Sequence, residues 1–206
     1  MAKSAKRKRP DTPWRPTRAD LEAARGTKTV RDVIDHGLDV LFVGINPGLY
    51  SAAIRHHFGR PGNRFWPALF AGGFTPRLLS PFEEILLLDF GVGMTNLVDR
   101  ATVMADELSR EELQQGAKRL IRKLRRYRPK FVAPLGLTSF RAAFDRTKAK
   151  LGRQPELLGG APVWLLPNPS GLNAHHQPKD LARMFREFYD AVHDKRRVAR
   201  ATDRAS

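Results

Sequence analysis

Cysteine is absent from all 206 residues. That excludes disulfides, thiolate zinc sites, cysteine-ligated iron–sulfur clusters and cysteine nucleophiles together. Long apolar runs are missing as well: none approaches the roughly 20 residues that a membrane-spanning helix needs. The opening "MAKSAKRKRPDTPWRPTRAD" has no apolar core of the kind that marks a secretory signal. A cytoplasmic protein is therefore expected, nucleoid-associated if the source is bacterial. Several catalytic signatures are also missing. There is no H-E-x-x-H pair, no G-x-S-x-G elbow, no G-x-x-x-x-G-K-[ST] loop, and no G-x-G-x-x-G after a strand. His56-His57 and His175-His176 lack a supporting carboxylate motif, so they read as polar surface or loop residues and no metal or cofactor is expected.

Negative charge is scarce too. Against 37 Lys and Arg there are only 21 Asp and Glu, a formal net charge of +16. Such a chain attracts polyanions over a Debye length or more, nucleic acid before others. An anionic membrane surface is the rival, but the basic segments lack a strongly apolar opposite face outside the folded core. No membrane partner is expected.

The chain is long enough for one domain with a real core. Residues 1–28 read as a disordered basic arm, 29–194 as the domain and 195–206 as a second basic tail. Within the domain, strand and helix signals alternate. "VLFVGI" (40–45) is an apolar run of the kind buried on both faces, and "GVGMTNLV" (91–98) reads as a second central strand. "LSREELQQGAKRLIRKLRRYRP" opens on the capping box Ser109-x-x-Glu112 and stops at Pro129, which predicts a helix. "KFVAPLG" runs into the helix "LTSFRAAFDR", "APVWLLPNPSG" is a strand ending in a turn, and "PKDLARMFREFYDAVHDK" is a closing amphipathic helix. The expected fold is α/β, a three-layer αβα arrangement on a short, mainly parallel central sheet of about four to five strands. In such sheets ligands bind beyond the carboxyl ends of the strands.

Two polar turns sit at those ends. In "LFVGINPGLY" the apolar run stops at Asn46 before a Pro-Gly turn, and "PNPSGLN" follows the last strand. Asn, Pro and Gly serve turns for backbone reasons alone, but both turns are expected on the same side of the molecule. The helix 118–128 adds a face of Lys and Arg without one acid, including Arg122, Arg125 and Arg126. It is read as phosphate-binding, with a solvated face as the alternative.

"GINPG", "PGNRFW", "TNLVDR" and "LPNPSGLN", in this order from about Val30 to Val192, resemble the motifs of the mismatch-specific uracil/thymine-DNA glycosylases. The resemblance implies a monofunctional enzyme, without cofactor and acting as a monomer. Its substrate would be double-stranded DNA bearing G·U or related mismatches. It would remove uracil, and also thymine, 5-substituted uracils or related damaged bases, by base flipping and water attack at C1′, which starts base-excision repair. A non-catalytic nucleic-acid-binding domain on the same scaffold is the alternative. By resemblance Asn46 positions the attacking water, Ile45 and Gly48 help line the base pocket, Phe58 stacks on the flipped base, and Asn96 is a pocket position. Ser51 matches the place where uracil-specific relatives carry a bulky aromatic against the thymine methyl, so an open pocket is expected. Asn168, Ser170, Gly171, Leu172 and Asn173 match the loop that enters the minor groove, with Leu172 as wedge and Gly171 and Asn173 reading the widowed guanine. Some members carry Ser where Asn173 stands. An amide cannot remove a proton but can orient water, which implies slow turnover and a need for good leaving groups. Asp89 is a second candidate for activating water, its other reading being a cap or ion pair at a strand entrance.

Overall fold

The computed structural model describes residues 12–28, 30–171 and 176–194. At its centre lies strand β1, Val40–Gly44, with all five residues buried. Side chains alternate across the sheet, so Val40 and Phe42 join one apolar layer while Leu41 and Val43 join the other. Parallel partners flank it, β2 (Val92–Asn96) on one side and β3 (Phe131–Pro134) on the other. β5 (Ala161–Leu165) extends the sheet in parallel, and β4 (Gly152–Leu158) closes it antiparallel, giving the order β2-β1-β3-β5-β4.

Helices α3 (Phe65–Gly72) and α6 (Pro178–His193) pack together on one face, where Phe185 stacks on Phe42 at 5.7 Å between ring centres. Helices α4 (Arg110–Tyr127) and α5 (Leu137–Phe144) cover the other through Leu113, Leu120, Leu124 and Phe140. This is the expected αβα arrangement, five strands and mainly parallel. Ser109 caps α4 as its motif foretold, accepting from Glu112 N at 3.2 Å while Glu112 accepts from Ser109 N at 3.0 Å.

Three features differ from expectation. β2 is not central: it begins the strand order, and among the described residues only the bridge of Val33 to Met94 lies outside it. A short apolar run reports burial on both faces, not the number of strand neighbours. β4 carries no apolar run at all, because as an edge strand most of its residues are exposed. The basic arm is structured in part, since helix α1 (Arg18–Ala23) lies within it. Thr17 and Asp20 form a capping box, Ala24 is buried with Ala52 and Ala101, and Gly26 N donates to Ala101 O at 2.9 Å. Residues 1–11 and the tail 195–206 lie outside the described residues.

Parallel register places Gly44, Asn96 and Pro134 at one end of the sheet. Phe131, Val40 and Val92 mark the other end, where α4 finishes.

Candidate active site

A cavity of about 400 Å³ opens at the carboxyl end of the strands. Ile45, Asn46 and Gly48 reach it from the turn after β1, and Ser51 from helix α2 (Leu49–Ile54). Phe58 and Asn96 line it beside Gly44, and Asn168 and Ser170 reach it from the turn after β5. The two polar turns therefore meet at one site, as expected.

Asn46 is held by its NH2 group. Nδ2 donates to Thr102 Oγ1 at 2.7 Å and to Arg100 O at 2.9 Å, with Pro47 O a longer third contact at 3.3 Å. The Thr102 hydroxyl gives its own proton to Met104 O at 2.7 Å, so towards Asn46 it can only accept. Three acceptors on one side fix which way the amide faces. Oδ1 is left without a protein partner among the described residues. The cage is itself braced: the Arg100 guanidinium bonds both Glu112 oxygens, at 2.8 and 3.0 Å. Those bonds, with the Ser109 N–H, push the Glu112 carboxyl down to about 2.

Asn96 closes β2 and is buried. Its Nδ2 faces His57 Nδ1 in a long contact of 3.5 Å. His57 Nε2 lies 3.0 Å from Arg31 O, which can only accept, so the proton sits on Nε2 and Nδ1 is the acceptor. Gly44 leaves room for this: a Cβ there would collide with Asn96 Oδ1 and crowd Phe58. Burial of His57 pushes its pKa below the usual value, against the opposing pull of Glu84 and the Arg31 carbonyl. The unfolded chain then binds the extra proton first, and its histidine titrates near 6.5. Stability contributed by neutral His57 is therefore complete above about pH 6.5 and is lost as pH falls below it, by at most about 1.4 kcal/mol per pH unit. Urea melts from pH 7.5 down to 5 should show this decline, and His57→Gln should lack that part of the slope. An identical slope in the variant would remove His57 as its source.

The histidine pair corrects the reading as surface residues. His56 and His57 are buried, and both bond Glu84: His56 Nδ1 lies 2.9 Å from Oε1, and His57 N donates to Oε2 at 2.8 Å. That carboxylate fixes the loop which carries Phe58.

In the second turn, Asn168 Oδ1 accepts from Ser170 N at 3.0 Å, and Arg64 N donates to Pro169 O at 2.9 Å. A Cβ on Gly171 would overlap the Gly62 carbonyl, so "PGN" and "PSG" touch backbone to backbone. Leu172 and Asn173 lie outside the described residues.

Other expected residues stand elsewhere. Asp89 is exposed just before β2, a strand's length from Asn96 and away from the cavity. It belongs to the entrance of the strand, which was its alternative reading. Arg122, Arg125 and Arg126 lie in the C-terminal half of α4, which points to the amino end of the sheet. They do not border the cavity. Sequence reasoning passed over Thr102, His57, Arg60, Val103, Met104 and Asp106, which do border it. Thr102, in "RATVM", carried no motif signal beyond its closeness to "TNLVDR".

The family model described as the uracil DNA glycosylase superfamily matches residues 31–193. A solution structure from Methanosarcina acetivorans, whose uracil DNA glycosylase assignment is provisional, superposes with a TM-score of 0.52 at 18% identity. The match covers 80% of this chain and 97% of that one, and at this identity it speaks for the fold alone. A match across nearly the whole domain, both polar turns included, places the chain in the uracil DNA glycosylase superfamily.

Proposed function

We propose that this protein is a monofunctional glycosylase that removes uracil, and uracils with small 5-substituents, from G mismatches in duplex DNA. The observation that carries the reading is the caged amide of Asn46, whose Oδ1 is left to hold a water molecule in a cavity with room for a base.

A base inside the duplex is out of reach, and extruding it costs a few kcal/mol. The Phe58 ring offers a stacking face worth about 1–3 kcal/mol. Asn46 Oδ1 accepts a hydrogen bond from water and aims its lone pair at C1′. As the C1′–N bond lengthens, its electron pair leaves with the base and the sugar gains oxocarbenium character. Water oxygen then bonds to C1′ and its surplus proton passes to solvent. Asp106, on the cavity rim, brings a carboxylate to the cationic sugar, and Arg60 brings a cation for a neighbouring phosphate. In this reading Leu172 and Asn173, known here from sequence only, supply the wedge and the contact to guanine.

An end-labelled duplex with a single G·U pair, incubated with the protein and treated with alkali, should break at the uracil. Salt-sensitive binding with no abasic product would favour a non-catalytic DNA-binding domain instead.

Pocket breadth rests on Gly48 rather than Ser51. Ser51 is buried and its Oγ accepts from Gly59 N at 2.9 Å, so a bulky side chain there breaks the wall instead of gating the pocket. Gly48 has φ −72, which any residue adopts, and a Cβ would meet nothing within 4 Å. Gly48→Tyr should therefore fold normally and project a ring at the cavity mouth. Discrimination on one methyl is worth about 1–3 kcal/mol. The variant should lose 5-methyl- and 5-halo-uracil excision by roughly tenfold or more, while G·U activity falls only a few-fold. Parallel losses on all bases would refute the gate.

A further inference from the structure

The arginine-rich half of α4 runs towards the amino end of the sheet, and none of its residues borders the cavity. α4 has 18 residues, about 27 Å, and its C-terminus meets the amino ends of β1 and β3. The strand length alone separates the two ends of the sheet by roughly 16 Å. From Lys118 to Lys130 the chain carries eight cations and no acid. Lys123 is paired with Asp32 at 2.6 Å, Lys130 with Asp39 at 2.6 Å, and Arg119 reaches Leu97 O at 3.4 Å. The other five are exposed and form no ion pair among the described residues; Arg128 is the C-cap, and Lys118, Arg122, Arg125 and Arg126 stand along the helix itself.

Their spacing of i, i+4, i+7 and i+8 puts them on one face. The helix dipole favours cations in the last turn, which accounts for Arg125 and Arg126. It does not account for Lys118 and Arg122. Like charges at i, i+4 repel by about 0.2–0.5 kcal/mol each, so the face is destabilising until an anion covers it. It runs about 12 Å along the helix. At about 3.4 Å per phosphate, that matches three to four phosphates of one DNA strand.

We infer that this face binds the backbone of a second duplex, so that one molecule bridges two DNA segments. The inference rests on the proposed placement of the substrate duplex at the cavity.

The test uses an unmodified duplex fixed to beads and a free labelled duplex, captured by the full-length protein. Arg122→Gln, Arg125→Gln and Arg126→Gln combined should lower capture at least tenfold, with single-turnover excision at saturating protein changed less than twofold. The triple Lys replacement should restore capture, which separates charge from folding. Unchanged capture in the Gln variant, or none with the parent, overturns the inference. So does a fall of about 0.9 per lost contact in the salt slope for G·U substrate binding, which would place the helix on the substrate duplex itself. Capture preferring RNA or an acidic protein over DNA also overturns it. Capture uses uracil-free DNA, so a parent that bridges but yields no abasic product would sink the glycosylase reading and leave the bridging face standing.

Discussion

Asn46→Ala should lower single-turnover uracil excision by at least about 10²-fold, the scale on which loss of reactant positioning acts. Binding to a duplex that already contains an abasic site should be nearly unchanged, because no water need be held there. The expectation follows from how the side chain is anchored. Nδ2 faces Thr102 Oγ1, Arg100 O and Pro47 O, so only Oδ1 is offered to the cavity. The same geometry predicts a graded companion. Thr102→Val keeps the shape but removes the 2.7 Å acceptor, leaving the amide on Arg100 O and the longer Pro47 contact. Excision should fall roughly tenfold in kcat, about 1.4 kcal/mol, with little change in KM. Thr102→Ser, which restores the acceptor, should recover the rate. Near-normal turnover in Asn46→Ala would move water activation elsewhere. Asp106 would be tested next, since it lines the cavity and Asp89 does not.

The parts of the site that were legible in the sequence are those where backbone and chemistry ask for the same residues. "GINPG" ends an apolar run and turns the chain, so strand end, turn and amide were visible together. "NPSG" was visible for the same reason. Thr102 was hidden because its hydroxyl matters through two hydrogen bonds that span the fold, and no local pattern reports those. The histidines were misplaced because their partner, Glu84, comes from a 3₁₀ segment (Pro81–Phe90) that no periodicity announced. The charge of Arg122, Arg125 and Arg126 was legible, and so in principle was their place: a helix that leads into a parallel strand must finish at that strand's amino end, opposite the cavity. The connection of α4 to β3 already implied this. Asp89 is set apart from the cavity by the same rule, since it precedes β2 as Asn96 ends it.

Phe58→Ala should cost about 1–3 kcal/mol in kcat/KM, or about 5- to 150-fold, the range of a lost base–aromatic stack. The ring is a built platform. One side stacks on Phe65 at 4.1 Å and 21° between planes, and Phe65 is fully buried against Phe42 and Trp66. Phe58 itself is half-buried and lines the cavity. Its backbone sits at φ 51, a left-handed conformation that costs a bulky residue about 1–2 kcal/mol. Packing on Phe65 offsets that strain, so simple truncation confounds two effects. Phe58→Gly separates them, because glycine accepts the same φ without penalty. Alanine and glycine variants should lose activity alike, while glycine loses less thermal stability. Phe58→Tyr should retain most of the rate. Affinity for abasic DNA, which presents no base to stack, should be unaltered in all three. If Phe58→Ala keeps full activity, the ring is core packing that happens to border the cavity, and the base must be held chiefly through Asn96 and the turn after β1.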